Sequence, residues 1–142
     1  MATDIKELSR RIFEEVWNNQ NLSAADEIIA STFVDHDPQS SVQGIEGYKR
    51  FVRYYLTAFP DSHFTVEDEI SEGQMVVTRW TVNGTHTGSL GAIPATGRKV
   101  SVTGISCARV ENGKVVEAWS NWDTLGMMQQ LGILSATAQQ AA

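Results

Sequence analysis

Residues 1 to 60 and residues 62 to 124 follow two different hydrophobic periods, and that division limits the folds open to the chain. In the first part, Ile5, Leu8, Ile12, Phe13, Val16 and Trp17 recur at helical intervals behind Asp4 and Glu7, which have capping-box spacing. Ser23 can cap a second, shorter helix that carries Ile28 and Ile29, with Asp26 in its first turn. Phe33-Val34-Asp35-His36-Asp37-Pro38 is predicted as a brief extended segment, since proline disfavours helix in the residue before it. A third helix is expected from about Ile45 to Phe59, with Tyr48, Phe51, Val52 and Tyr55 in its buried stripe and Pro60 as its stop.

From Ser62 to Thr124 the pattern changes to β-branched and aromatic runs separated by turn signals at Glu72-Gly73, Gly88 to Gly97 and Glu111-Asn112-Gly113. Asn112-Gly113 between two apolar runs is a strong hairpin signal. Helices first and a strand meander afterwards exclude the alternating order of a doubly wound sheet and indicate an α+β fold. The expected architecture is a curved antiparallel sheet forming a half-barrel packed against the N-terminal helices, with a pocket between the layers. Thr124 can cap a last helix, Leu125 to Leu131, ended by Gly132, and the small polar tail Ser135 to Ala142 is expected to fray. Residues 1–142 are read as a single domain, because this length supports one real core and not two.

The composition removes several classes of function. A 42% hydrophobic and 20% charged chain is ordinary for a globular protein, and no apolar run approaches the roughly 20 residues of a spanning helix. Met1 to Glu7 lacks the basic start and apolar stretch of a signal peptide, so a cytoplasmic location without membrane association is expected. A net charge of -6 argues against nucleic acid as a partner. Cys107 is the sole cysteine and is expected as a small core side chain. The sequence has no Gly-x-Ser-x-Gly, no phosphate-cradling glycine loop, no dinucleotide fingerprint and no histidine pairing of metal-ligand spacing.

The polar residue of greatest interest closes the run Glu117-Ala118-Trp119-Ser120-Asn121-Trp122-Asp123. An acid at the end of a tryptophan-rich strand is costly unless something pairs with it or uses it, which makes Asp123 the first candidate for chemistry. Its competing role is to cap the helix that follows, although Thr124 is available as an alternative cap. Alternation places Glu117, Trp119, Asn121 and Asp123 on one sheet face and Ala118, Ser120 and Trp122 on the other, with an indole on each. His86 shares parity with Trp80 and Val82, which points it inward, and either a core or a catalytic role fits. His36 stands between Asp35 and Asp37, where a carboxylate can orient its ring, and His63 is expected at the surface.

The motifs Gly84-Thr85-His86-Thr87-Gly88, Gly91 to Val100, and Asn112 to Trp119 with Asp123 and Gln130-Leu131-Gly132 resemble those of the SnoaL-like polyketide cyclases. These belong to the nuclear-transport-factor-like, or cystatin-like, α+β cone-barrel superfamily. The resemblance spans nearly the whole chain and is more specific for the family than for the reaction, because the superfamily mixes enzymes with binding domains. It implies that Asp123 is the general acid/base of an intramolecular aldol closure, with His86 and His36 as further catalytic candidates. No metal or organic cofactor is implied.

The substrate implied is a mostly apolar, carbonyl-bearing small molecule. Trp80, Trp119 and Trp122 are expected as pocket wall, Asn121 as a donor, and Ile93 at the apolar tip of a Ser89 to Ala95 loop that can serve as a lid or a subunit contact. Homodimers are common in the superfamily, so a homo-oligomer is expected. The alternatives are a non-catalytic small-molecule-binding module of the same fold, and epoxide or lactone hydrolysis using Arg79 and Asp123. A steroid-isomerase-like site requires a tyrosine donor deep in the pocket, and Tyr48, Tyr54 and Tyr55 on the third helix have no assigned place there.

Overall fold

The computed structural model describes residues 4–39 and 41–134. Helix α1 (Ile5–Arg11) begins on Asp4, whose side chain accepts from the backbone N–H of Lys6 and Glu7. It runs on through Ile12–Asn18 in the wider π-helical pattern, with Asn19 N–H reaching Glu14 O across five residues. The short helix α2 (Ala25–Ile28) then passes directly into strand β1 (Ile29–Asp35). Ser23 does not cap it; its hydroxyl donates to Asn21 Oδ1. After the two-residue strand β2 (Val42–Gln43) comes helix α3 (Gly44–Ala58), then β3 (His63–Glu72), β4 (Met75–Thr85), β5 (Lys99–Glu111), β6 (Lys114–Trp122) and helix α4 (Thr124–Gln130). The tail from Ser135 lies outside the described residues.

The strands form one mixed sheet in the order β2-β1-β6-β5-β4-β3. The predicted meander is its antiparallel part; the extension predicted from Phe33 to Pro38 is the end of a longer strand that begins at Ile29, a residue expected on the second helix, and that pairs in parallel with β6, Asp35 opposite Ala118. The long connection from β1 to β6, through β2, α3 and the β3–β5 meander, supplies the crossover that a parallel pair needs. Register shifts at Val66/Asp68, at Arg109/Val110 and between Ile29 and Val34 mark bulges that bend the strands. The resulting sheet is curved and unclosed.

The helices fill its concave side. Val16, Ile28, Ile29 and Val52 are completely buried there with Phe33, Val110 and Val115, and each such side chain contributes about 1.5–3 kcal/mol relative to exposure. A second cluster, Ala58, Phe59, Leu90, Val100, Val102, Met127 and Leu131, closes one end. Helix α4 belongs to that closure, and its N-cap is Asp123, whose carboxylate accepts from Gly126 N–H at 2.8 Å. Thr124, the alternative cap, is already inside the helix.

Candidate functional site

Between the helices and the concave face lies a cavity of about 160 Å³, walled mainly by aromatic and aliphatic side chains from α1, α3, β1 and β4 to β6. A small number of polar groups on such a wall is the usual composition of a small-molecule site. Asp35 and Asp37 come from the end of β1 and the turn after it, Tyr48 and Tyr55 from α3, and Ser106 and Ser120 from β5 and β6. Period 2 brings Asp35 inward with Phe33, and helical spacing brings Tyr55 inward with Tyr48 and Val52.

The two aspartates differ in their partners. Asp37 Oδ2 accepts from Trp122 Nε1 at 3.1 Å, and its Oδ1 accepts from Gln39 N–H at 2.7 Å. Asp35, only 6% exposed, has an Oδ1 that is buried without a hydrogen-bond partner among the described residues. Burial, followed by the charge of Asp37, pushes the Asp35 carboxyl up to about 6. Burial also raises the Tyr48 hydroxyl, which accepts from Trp17 Nε1 at 3.2 Å. Burial, Tyr54 and Asp37 push Tyr55 up to about 12, so its phenol remains a hydrogen-bond donor at any ordinary pH.

On the opposite wall the indole of Trp80 donates to Ser106 Oγ at 3.0 Å, and Ser106 Oγ lies 3.0 Å from Ser120 Oγ. Trp80 pairs with Gly104 across β4 and β5. A Cβ at Gly104 would sit 2.3 Å from Trp80 Cζ2, so the missing side chain is what allows the indole to lie over β5.

Of the residues expected from sequence, Trp80 and Trp122 line the cavity. The others are placed elsewhere. Asp123 is exposed, is committed to capping α4, and does not reach the cavity. Its parity on β6 is that of Glu117, Trp119 and Asn121, which face the convex side, whereas Ala118, Ser120 and Trp122 face inward. Trp119 is 37% exposed and stacks on His36 with ring centres 5.3 Å apart. His36 Nε2 is 2.7 Å from Glu117 Oε2, and Arg109 binds the same carboxylate; His36 first and Arg109 second hold Glu117 below the usual carboxylate range. Neither Asn121 nor His36 is part of the cavity wall.

His86 points inward and is fully buried, but beyond the end of β4 and outside the cavity lining. Its Nδ1 accepts from Thr96 N–H at 3.2 Å and lies 3.0 Å from Thr96 Oγ1, and its ring packs on Phe59. These contacts tie the 86–97 loop down. Ile93 is half-buried against the end cluster and bridges to Leu90, so the loop packs on that cluster without entering the cavity wall. Arg79 is exposed and paired with Asp68 at 2.7 Å, which removes it from the site that the hydrolase reading requires. Cys107 also faces the convex side, half-buried, and burial pushes its thiol up.

Asp35, Asp37, Tyr48, Tyr55, Ser106 and Ser120 are polar members of the wall that were not singled out from the sequence. The signal for the tyrosines was present in the α3 stripe. Among the described residues, no three of His, Cys, Asp and Glu converge as a metal-binding group, and no helix is long and apolar enough to cross a membrane.

Comparison with known proteins gives consistent relatives. Residues 7–131 match the family model described as SnoaL-like polyketide cyclase. The chain is 30% identical to aklanonic acid methyl ester cyclase DnrD of Streptomyces peucetius, over 93% of this chain and 92% of that protein. It superimposes on the candidate polyketide cyclase IdmH of Streptomyces antibioticus with a TM-score of 0.81 and 28% identity, covering 92% of this chain and 99% of that one. AclR of Streptomyces galilaeus, a candidate hydroxylase, superimposes with a TM-score of 0.82 and 27% identity, over 92% and 97% of the two chains.

Proposed function

We propose that this chain, which belongs to the SnoaL-like polyketide cyclase family, closes a ring in an apolar, carbonyl-bearing small molecule by acid/base catalysis, with Asp35 as the proton acceptor and donor. The observation that carries the assignment is the Asp35 carboxyl, buried in the cavity with its Oδ1 lacking a hydrogen-bond partner among the described residues, and pushed up to about 6. A carboxylate with that affinity for protons is ionised at neutral pH and is a stronger base than an exposed one, which is the balance general base catalysis needs.

The step is redox-neutral. Asp35 takes a proton from the carbon next to one carbonyl, the enolate carbon bonds to the carbon of a second carbonyl, and the alkoxide so formed receives the proton back. Tyr55, protonated throughout, is a donor on the same wall for a developing oxyanion. The apolar lining excludes water that would otherwise quench the enolate.

Aklanonic acid methyl ester, named for DnrD, is the first substrate to test. The wild type should cyclise it with a rate that rises through pH of about 6. Asp35→Asn should lower kcat by about 10²–10⁴ with ligand binding retained, and Asp123→Asn should leave kcat within a few-fold. An active Asp35→Asn variant, or an Asp123→Asn variant that folds and is dead, returns the role to Asp123.

A homodimer through the convex face is the second proposal. Ile70, Val77, Cys107 and Trp119 lie in one register row across β3 to β6, with Ile70 66% exposed and Ile105 51% exposed in the adjacent row. An exposed apolar patch of this kind marks an interaction surface, and pairing it with its own copy about a two-fold axis would cover it. Sedimentation at micromolar concentration should give a dimer mass, and Ile70→Glu a monomer mass.

A further inference from the structure

Three donors and two contacts meet on the β4–β6 wall of the cavity. Trp80 Nε1 can only donate, so Ser106 Oγ is its acceptor, at 3.0 Å. One hydroxyl hydrogen then serves the 3.0 Å contact between Ser106 and Ser120. Whichever serine supplies it, one hydroxyl hydrogen of the pair is left over, and among the described residues it has no other acceptor. Both serines line the cavity, on a wall that is otherwise mostly apolar.

The geometry points to a carbonyl-binding site: the Ser106–Ser120 pair, polarised by Trp80, donates its spare hydrogen to a ligand carbonyl oxygen or the enolate formed from it. Gly104 supports this, because its missing Cβ is what lets the Trp80 indole cross β5 and reach Ser106 two residues along. Chained hydrogen bonds strengthen one another, so the last hydroxyl is a better donor than a lone serine. Asp35 sits one strand away, its Cα opposite Ala118, two residues before Ser120. In the parallel pleat that diagonal offset is about 7–8 Å between Cα positions. The carboxylate and the hydroxyl are therefore placed to reach adjacent atoms of one ligand, a carbon-bound hydrogen and its carbonyl oxygen. This assignment rests on the ring-closing reading for its role in chemistry, but the site itself is a matter of binding and is tested without turnover.

The probes are 1-tetralone and tetralin, which differ only in a carbonyl. At pH 8, wild-type protein should bind tetralone more tightly than tetralin, and the carbonyl infrared band of bound tetralone should be shifted to lower frequency than in cyclohexane. Ser106→Ala and Ser120→Ala each leave one hydroxyl hydrogen free, so each should keep most of the shift. The double variant should lose the shift and weaken tetralone about three- to ten-fold with tetralin unchanged. Trp80→Phe should reduce the shift without abolishing it. Asp35→Asn should keep the shift, so its loss of turnover and a failure of the serine site are separate results. Equal losses for both probes, an unshifted wild-type band, no tetralone binding by the wild type, or loss of the shift in Asp35→Asn each overturn the assignment.

Discussion

The two faces of strand β6 each carry an indole and do opposite things. Inward, Ala118, Ser120 and Trp122 line the cavity, and the Trp122 N–H is spent on Asp37. Outward, Glu117, Trp119 and Asn121 meet solvent, and Trp119 is stacked on His36 above an ion-pair network with Arg109. Each face has an indole and an acid beside it. The acid near the inner indole is buried, and beside it Asp35 has an Oδ1 without a hydrogen-bond partner among the described residues; the acid at the outer one is half-buried and held by His36 and Arg109. A buried acid whose charge is poorly satisfied is the better candidate for chemistry, which is why the proposed role falls on Asp35 and not on an acid of the outer face.

The difference between the faces is most strongly tested by activity. Asp35→Asn should cost about 10²–10⁴ in kcat, whereas His36→Ala and Glu117→Gln on the outer face should change it by less than about two-fold. Equal losses on both faces would break the contrast.

Stability against pH should sharpen it. An aspartate ionises near 3.9 in an unfolded chain, and burial moves Asp35 to about 6 in the folded one. Between those values the folded protein holds a proton that the unfolded chain has lost. The Asp35 contribution is thus favourable to folding at low pH, falls as pH rises from about 4 to about 6, and is flat above. The shift corresponds to about 2–3 kcal/mol. Chemical denaturation at pH 4.5 and pH 7.5, wild type against Asp35→Asn, should show the variant gaining relative stability at the higher pH by that order.

Next in size, Gly104→Ala should destabilise by about 1–3 kcal/mol, because its Cβ meets Trp80 and Trp122 within 2.8 Å. An alanine at the outward-facing Asn121 position should be nearly neutral by thermal melting. Asp123→Ala should cost about 1 kcal/mol through loss of the α4 cap, and Asp123→Asn only a few tenths, since asparagine caps equally well. His36→Ala should likewise be close to neutral, because its contact with Glu117 is open to solvent.

The α+β fold, the third helix and the meander were legible because period and turn chemistry are local properties: Asn112-Gly113 names its own hairpin, and Tyr48, Val52 and Tyr55 name their own helix face. The parallel β1–β6 pairing was not, since it joins residues far apart in sequence and no periodicity in Ile29 to Asp35 states which strand it meets. The cavity wall was legible in Trp80, where the inward parity was unambiguous, and in Trp122 as one of two competing indoles. On β6 both parities carried an indole, and the sequence left open which face was inside.

By itself, the sequence determined the elements, the segregation of helices from strands and the family to which the chain belongs, because those follow from short-range pattern and motif. Only the tertiary structure decided which acid is buried in the cavity and which caps a helix at the surface. Asp123 and Asp35 are both aspartates at strand ends beside apolar residues; one emerges at a helix N-terminus where the Gly126 N–H meets it, and the other is enclosed by α3 and the curved sheet, where its Oδ1 has no hydrogen-bond partner among the described residues. That distinction is set by desolvation, and desolvation belongs to the packed molecule and not to the residue.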